Sequence, residues 1–170
     1  MIVRGYEGKQ PRFGARIFVA ENAAVIGDVE LGDDCSIWYS AVIRADAHWI
    51  RIGPRTNIQD NCTLHVTQNT FPVQIAEEVT IGHGAVVHGC TIERRALIGM
   101  GSRVLDGAVI GELALVGAGA LVPEGMRVPP RTLVVGVPAR VKRPLAGAEI
   151  AHLEQSWKNY VGYKDRYLQA

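Results

Sequence analysis

Aliphatic residues recur every six positions along most of this chain, and the register is shifted after Ile43, Leu64 and Val87. A small residue precedes many of them by two places, at Cys35, Ala41, Cys62, Ala85, Cys90, Ala96, Ser102, Ala108, Ala114 and Ala120. The aliphatic series itself runs through Val19, Val25, Leu31, Ile37, Ile43, Ile52, Ile58, Leu64, Ile75, Ile81, Val87, Ile92, Ile98, Val104, Ile110, Val116 and Val122.

Side chains two positions apart on an extended strand share a face, so both series are expected to point inward. A period of six matches neither the 3.6-residue helix nor the 3.5-residue coiled coil. Short strands around a narrow interior of alternating large and small side chains predict a parallel β-helix built from hexapeptides. Glycine is expected to relax the backbone at the corners, where it follows the aliphatic residue at Gly32, Gly53, Gly82, Gly99, Gly111 and Gly117.

The pattern changes near residue 145. Apolar residues then recur at helical spacing, at Ile150, Leu153, Trp157, Tyr160, Val161 and Leu168. We therefore predict one domain. It comprises a β-helix with a short N-terminal segment and a connector over residues 1–144, and a C-terminal α-helix packed on it over residues 145–170.

Composition narrows the class of protein. The chain has 170 residues, 48% of them hydrophobic, and a net charge of +1. No basic run suggests nucleic-acid binding, and no apolar run approaches the roughly 20 residues of a membrane span, so neither partner is expected. The N-terminus lacks a signal-peptide pattern, and a cytoplasmic protein is expected. Because three cysteines without a CxxC motif occupy inward positions, we expect reduced, buried thiols.

Counting hexapeptides places two histidines side by side. Leu64 and Ile75 are one hexapeptide plus five residues apart, so the sequence TQNTFP is expected to protrude as a loop without disturbing the register. Val87 then lies one coil above Leu64. His65 and His88, which follow them directly, should be stacked roughly 4.8 Å apart and point outward, close enough to share a metal ion.

The third histidine belongs to a different face. His83 follows Ile81 closely and points away from the pair on its own chain. One metal ion can collect all three only if a neighbouring copy contributes His83, and a cyclic homotrimer repeats that contact three times. The same count places Arg44 in a column with His65 and His88, and Gln59 one coil below His83.

The repeat resembles the left-handed hexapeptide-repeat superfamily in LGDDCS, IGMGSR, IGELAL and VGAGAL. That resemblance implies a mainly β fold, a left-handed parallel β-helix shaped as a triangular prism, with the C-terminal α-helix added. More narrowly, IRAD, NIQDNCTLH and TIGHGAVVHGC resemble the γ-class carbonic anhydrases. The family implies Zn²⁺, with Fe²⁺ or Co²⁺ also possible, bound by His65 and His88 of one chain and His83 of the next.

Further residue roles follow from the same resemblance. Arg44 and Asp46 match an intersubunit ion pair, and the run containing Asn57, Gln59 and Asp60 places the glutamine beside the water that reacts. Three neutral histidines leave an open metal position, which suits hydration of carbon dioxide to bicarbonate. In our hypothesis Gln59 orients the attacking group, while Arg44 and Asp46 hold the seam between chains.

Proton export is the weak point of this assignment. The positions at which the founding γ-class enzyme carries acidic shuttle residues match Ala47 and Gln68 here, and neither can carry a proton. His48 or Tyr160 are candidate substitutes. The sequence therefore predicts weak or conditional hydratase activity.

Two other functions stay open. The superfamily also contains acyltransferases that use one histidine as a base, and relatives with proposed thioesterase roles on acyl-CoA. Three convergent histidines argue against a one-base mechanism. A non-catalytic trimeric scaffold locked by an interface metal is the third possibility.

Overall fold

The six-residue repeat folds into three parallel sheet faces that wind around one axis. The computed structural model describes residues 1–169. They form a left-handed parallel β-helix of about seven turns, followed by one helix. The elements are β1 Ile2–Arg4, β2 Arg12–Phe13, β3 Phe18–Val19, β4 Ala24–Leu31, β5 Ser36–Ile37, β6 Val42–Ile52, β7 Asn57–Ile58, β8 Thr63–His65, β9 Val73–Ile75, β10 Thr80–Ile81, β11 Val86–His88, β12 Thr91–Ile92, β13 Leu97–Ile98, β14 Arg103–Val104, β15 Val109–Ile110, β16 Leu115–Val116, β17 Leu121–Val122, β18 Arg127–Val128, β19 Thr132–Gly136, β20 Ala139–Pro144 and α1 Gly147–Tyr167.

Strand register confirms the hexapeptide count. On the first face, called face A, Ile43 pairs with Leu64 and Leu64 with Val87. The three residues inserted after Ile43 are absorbed within β6, which continues from face A onto the next face, face B. The third face, face C, is formed by β3, β5, β7, β10, β13, β16 and β19. The sequence TQNTFP leaves the coil as predicted, and an isolated bridge between Thr67 and Phe71 closes its loop.

The interior follows the predicted alternation of large and small side chains. Every aliphatic position of the repeat from Val25 to Val122 is buried. The cysteines fill small inward positions as free thiols. Burial raises the pKa of Cys35 to about 12 and that of Cys62 to about 11, while backbone hydrogen bonds oppose the shift in part. These thiols are part of the core.

The expectation that the repeat glycines relax the backbone at the corners is wrong. None of the six has a positive φ; the left-handed corner positions lie two residues later, at Asp34, Arg55, Gly84, Gly101, Leu113 and Gly119. The repeat glycines are instead places where successive coils touch. A Cβ added to Gly99 would lie 2.5 Å from Ala118 N and Val116 O, and the backbone of the next coil could not move aside easily.

The C-terminal helix α1 lies along face C, beside β5, β7 and β10. Its Leu153 is buried, and Ser156 Oγ lies 3.2 Å from Thr80 Oγ1. Lys164, fully buried, extends its ammonium group to 3.2 Å from Asp34 Oδ1. The helix therefore packs on the prism through both apolar and charged contacts. Within residues 1–169 no helix is long and apolar enough to cross a membrane.

Candidate metal centre

His65 and His88 meet on face A with ring nitrogens turned toward each other. Their strands are paired, with His65 directly opposite His88. His65 Nδ1 lies 3.0 Å from His88 Nε2, and the ring centroids are 5.1 Å apart. The stacking predicted by the hexapeptide count is confirmed. Both rings are only partly exposed.

A carboxylate holds each ring from behind. Asp46 Oδ1 lies 3.1 Å from His65 Nε2, and its second oxygen receives a hydrogen bond of 2.5 Å from Arg44. Asp106 Oδ1 lies 2.5 Å from His88 Nδ1, and its second oxygen accepts a hydrogen bond from the Thr67 hydroxyl. Such partners fix which nitrogen of an imidazole remains free for another ligand.

The charge states of these groups suit metal binding. Burial lowers the pKa of His65, and the nearby Arg44 adds to that effect against the opposing Asp46 contact. Burial would raise the pKa of Asp46, but hydrogen bonds from Arg44 and His65 outweigh it and bring that pKa below its ordinary value. The pKa of Asp106 is lowered in the same way by Thr67 and His88. Neutral imidazoles with ionised carboxylates behind them are the forms that a bound metal ion needs.

The third histidine lies elsewhere on the same chain. His83 follows β10 on face C, with its side chain 46% exposed and Nδ1 2.7 Å from Asp60 Oδ2. It lines an open cleft of about 410 Å³ between the prism and α1, together with Asp60 and Tyr160. Within residues 1–169 no three His, Cys, Asp or Glu side chains converge as a metal cluster. One chain thus presents two facing imidazoles on one face and a separate third imidazole on another.

The residues fit a zinc ion in their chemistry. Two nitrogens bound tetrahedrally at 2.0–2.1 Å are about 3.3 Å apart, and the observed separation of 3.0 Å is close to that value. Each ring has one nitrogen engaged by a carboxylate and the other directed at its neighbour. The two rings are thus placed so that one cation could bind both, while His83 lies on another face of the same chain.

The amide side chains beneath His83 form a buried chain of hydrogen bonds. Gln59 Oε1 accepts a bond of 3.1 Å from the backbone N–H of His83, and Gln59 Nε2 donates to Asn57 Oδ1 at 3.1 Å. Asn57 donates in turn to Thr80 Oγ1 at 3.0 Å. Since an amide nitrogen carries two hydrogens, Gln59 keeps one N–H for another acceptor. Asn57 positions Gln59, and Asp60 positions His83.

Tyr160 packs rather than protrudes. Its ring meets Trp38 edge-on, with centroids 5.5 Å apart. Burial raises the pKa of Tyr160 to about 12, and the charge of Asp60 adds to the shift. A phenol with that pKa stays protonated near neutral pH and cannot accept a proton there. The other suggested substitute, His48, uses Nδ1 to accept the backbone N–H of Trp49 at 2.9 Å.

Two roles were missed by the sequence analysis. Asp106 was not identified, although it closely follows Val104, the core residue one coil above Val87, and the hexapeptide count could have found it. Asp46 was assigned only to the seam with Arg44. Within one chain Asp46 binds both Arg44 and His65, so it also orients a proposed metal ligand.

Several curated proteins are similar to this chain over most of its length. The Escherichia coli protein YrdA is 45% identical over 98% of this chain and 94% of its own. The carbonic anhydrase of Geobacillus kaustophilus is 45% identical over 97% of this chain and 90% of its own. The mitochondrial γ carbonic anhydrase 2 of Arabidopsis thaliana is 44% identical over 90% of this chain and 57% of its own. No protein-family model matches the chain.

Solved structures agree on the fold. A Bacillus cereus protein described as an acetyltransferase superposes with a TM-score of 0.96 at 42% identity, covering 98% of this chain and 96% of the other. Its description names an activity different from that of the carbonic anhydrase relatives, although its fold is the same as that of this chain. Identity above 40% to carbonic anhydrases over most of this chain decides the family. This chain therefore belongs to the γ-class carbonic anhydrase family of left-handed β-helix proteins.

Proposed function

We propose that this protein is a metal-dependent carbonic anhydrase that hydrates carbon dioxide to bicarbonate. A zinc ion, or Fe²⁺ or Co²⁺ in its place, is bound by His65 and His88 of one chain and His83 of a neighbouring chain. The observation that carries this proposal is the facing pair of ring nitrogens 3.0 Å apart, each ring anchored by its own carboxylate.

Trimerisation is part of the proposal, because one chain supplies only two of the three ligands together. In a cyclic trimer, face A of each chain meets face C of its neighbour. Each of the three interfaces then joins His65 and His88 of one chain to His83 of the next, and the ring closes without an unpaired face. Arg44, which is 45% exposed beside the pair, is available to the seam. The ion pair between Arg44 and Asp46 is formed within one chain here, and a contact of Arg44 across the seam stays a prediction.

The residues divide the work of the reaction. A metal ion held by three neutral histidines supplies Lewis acidity, so that water can add to carbon dioxide near neutral pH. Asp46, Asp106 and Asp60 hold the imidazoles in place. Gln59, with one free N–H and support from Asn57, would donate a hydrogen bond to an oxygen of the reacting group. Tyr160 lines the cleft beside His83, where its role is to pack against neighbouring side chains.

The rate is expected to be modest. Ala47 and Gln68 line the cleft next to His65 at the places where acids would move protons. Proton export limits turnover in hydration reactions that are otherwise fast, because each bicarbonate formed releases one proton. We therefore propose weak or conditional hydratase activity. Free, buried thiols agree with a cytoplasmic location, which we propose as well.

An acyltransferase or thioesterase acting on acyl-CoA is the second candidate, favoured by the acetyltransferase description of a structural neighbour. It needs one catalytic base and no metal ion. A trimeric scaffold with an interface metal is the third candidate, and it predicts metal without turnover. Metal content and hydration rate together separate all three.

The test combines both measurements on the purified trimer. We expect close to one zinc ion per chain and carbon dioxide hydration by stopped flow, and both should be lost in His88→Ala. His152→Ala removes an exposed histidine of α1 and serves as the matched control, with both properties retained. Zinc near zero per chain in the wild type would sink the metal proposal. If the wild type binds zinc but hydrates carbon dioxide no faster than His88→Ala, the scaffold function is the one supported.

A further inference from the structure

A second cleft, of about 240 Å³, opens beside His65 on the prism surface. It is lined by Tyr6, Glu7, Arg44, Asp46, Ala47, His65 and Gln68. Ala47 and Gln68 offer no titratable group. Asp46 has one oxygen on His65 and the other on Arg44, so its carboxylate is occupied. Glu7 is the remaining carboxylate of this cleft, and within residues 1–169 it forms no ion pair.

The backbone holds Glu7 at this place. Tyr6 and Lys9 exchange hydrogen bonds of 2.9 and 3.0 Å across a tight turn. Glu7 and Gly8, the two central residues, have φ of 47° and 79°, the paired positive values of a type I′ turn. Lys9 is tied to the prism by an ion pair of 3.4 Å to Asp28. The turn is thus held by the pairing of β1 with β4 before it and by Lys9 after it, while the Glu7 side chain is exposed to solvent.

The other candidate proton carriers lie outside this cleft or have an unsuitable pKa. Tyr160 lies in the cleft with His83, and its pKa of about 12 keeps the phenol protonated. His48 accepts a backbone hydrogen bond through Nδ1 and does not line the cleft beside His65. The cleft has room for several water molecules, each of about 30 Å³, which can relay a proton between groups not in contact.

We propose that Glu7 is the proton acceptor of this site and takes over part of the role of the acids missing at positions 47 and 68, so that proton export is slowed but not abolished. The inference rests on the proposed hydratase function. Addition of water to carbon dioxide gives bicarbonate and one proton. That proton passes through water in the cleft to the Glu7 carboxylate, which becomes a carboxylic acid and then releases the proton to a buffer base outside. The carboxylate is restored and no further reactant is consumed.

Glu7→Gln tests this role because it keeps the shape and removes the proton-accepting oxygen. We expect kcat to fall on the order of 10²-fold while kcat/KM changes little, since proton export follows the step that forms bicarbonate. Added imidazole buffer should restore much of kcat. Glu124→Gln is the matched control, because Glu124 is also an exposed glutamate followed by glycine in a turn, but outside the cleft. It should leave kcat unchanged.

A spectroscopic measurement tests the placement independently of turnover. The side-chain carboxyl ¹³C resonance of Glu7 is compared between the zinc-loaded and the cobalt-loaded trimer. Paramagnetic Co²⁺ should shift or broaden the Glu7 signal. An unaffected Glu7 signal with cobalt bound at His65 and His88 would overturn the inference.

The outcomes separate this inference from the function on which it rests. If the wild type hydrates carbon dioxide and Glu7→Gln has the same kcat, Glu7 is not the proton acceptor. The hydratase proposal then stands. A parallel loss of kcat and kcat/KM that imidazole does not restore shows a structural role and also overturns it. A zinc-loaded wild type without hydration overturns both proposals together.

Discussion

Asp106 Oδ1 lies 2.5 Å from His88 Nδ1, although the two residues are 18 positions apart in the chain. One turn of the prism brings the carboxylate directly above the imidazole. The contact leaves Nε2 of His88 free and aimed at His65. Asp106 therefore fixes the orientation of a proposed metal ligand.

Asp106→Asn is expected to weaken zinc binding by about 10- to 100-fold, the usual effect of removing a carboxylate behind a metal-bound histidine. Competition with a chromophoric chelator measures the affinity. Thr67→Val is the graded control, because it removes one hydrogen bond to Asp106 and keeps the contact with His88. It should have a smaller effect. Unchanged affinity in Asp106→Asn would mean that the position of His88 does not depend on this carboxylate.

Subunit mixing tests whether the site is shared between chains. His83→Ala and His88→Ala trimers should each bind no zinc at the site. In an equal mixture of refolded chains, a site regains its ligands when one chain keeps His88 and the next keeps His83. Each condition has a chance of one half, so about one quarter of the sites should recover in a cyclic trimer. Zinc per chain is the readout.

The control for this mixture uses two substitutions in the part of the site that one chain supplies. His65→Ala mixed with His88→Ala cannot rebuild the pair, because both ligands must come from one chain. Zinc should stay near zero. Recovery in this control, or none in the first mixture, would contradict a site that combines His65 and His88 of one chain with His83 of another.

The sequence predicted those parts of the structure that depend on counting. The hexapeptide period holds on both sides of each break in register, so the faces, the protruding loop and the stacking of His65 on His88 all followed from the period of six. The repeat glycines were misjudged, because their constraint is contact with the next coil and not a local backbone angle. Glu7 lies outside the repeat, in a turn whose position depends on Lys9 reaching Asp28. No periodic pattern contains that contact.

Thiol reactivity tests the packing of the prism. Cys35, Cys62 and Cys90 are buried, and burial raises the pKa of all three. A thiol that is both enclosed and protonated is a poor nucleophile. Ellman's reagent should therefore detect no thiol in the native protein at mildly alkaline pH and three per chain in guanidinium chloride. Rapid labelling of the native protein would show that the coils open locally.

Acid stability depends on Glu78. Its carboxylate, with the side chain 8% exposed, binds Arg95 at 2.7 Å and Arg55 at 2.9 Å. Burial opposes ionisation, but the two arginines outweigh it, and the pKa of Glu78 lies below its ordinary value. A lowered pKa stabilises the folded state above the pKa of the unfolded chain, about 4.3, and this stabilisation is lost as pH falls through the folded value.

Glu78→Gln should therefore lower the free energy of unfolding at neutral pH by about 1–2 kcal/mol, a value reduced for the partial exposure of both arginines. The difference from wild type should shrink as the pH drops below about 4. Urea unfolding at several pH values measures it. Glu154→Gln is the matched control, because Glu154 meets the same Arg95 at 3.6 Å with 40% of its side chain exposed, and its loss should change little. If the difference in the free energy of unfolding between wild type and Glu78→Gln stays the same in acid, the effect comes from the shape of the side chain and not from its charge.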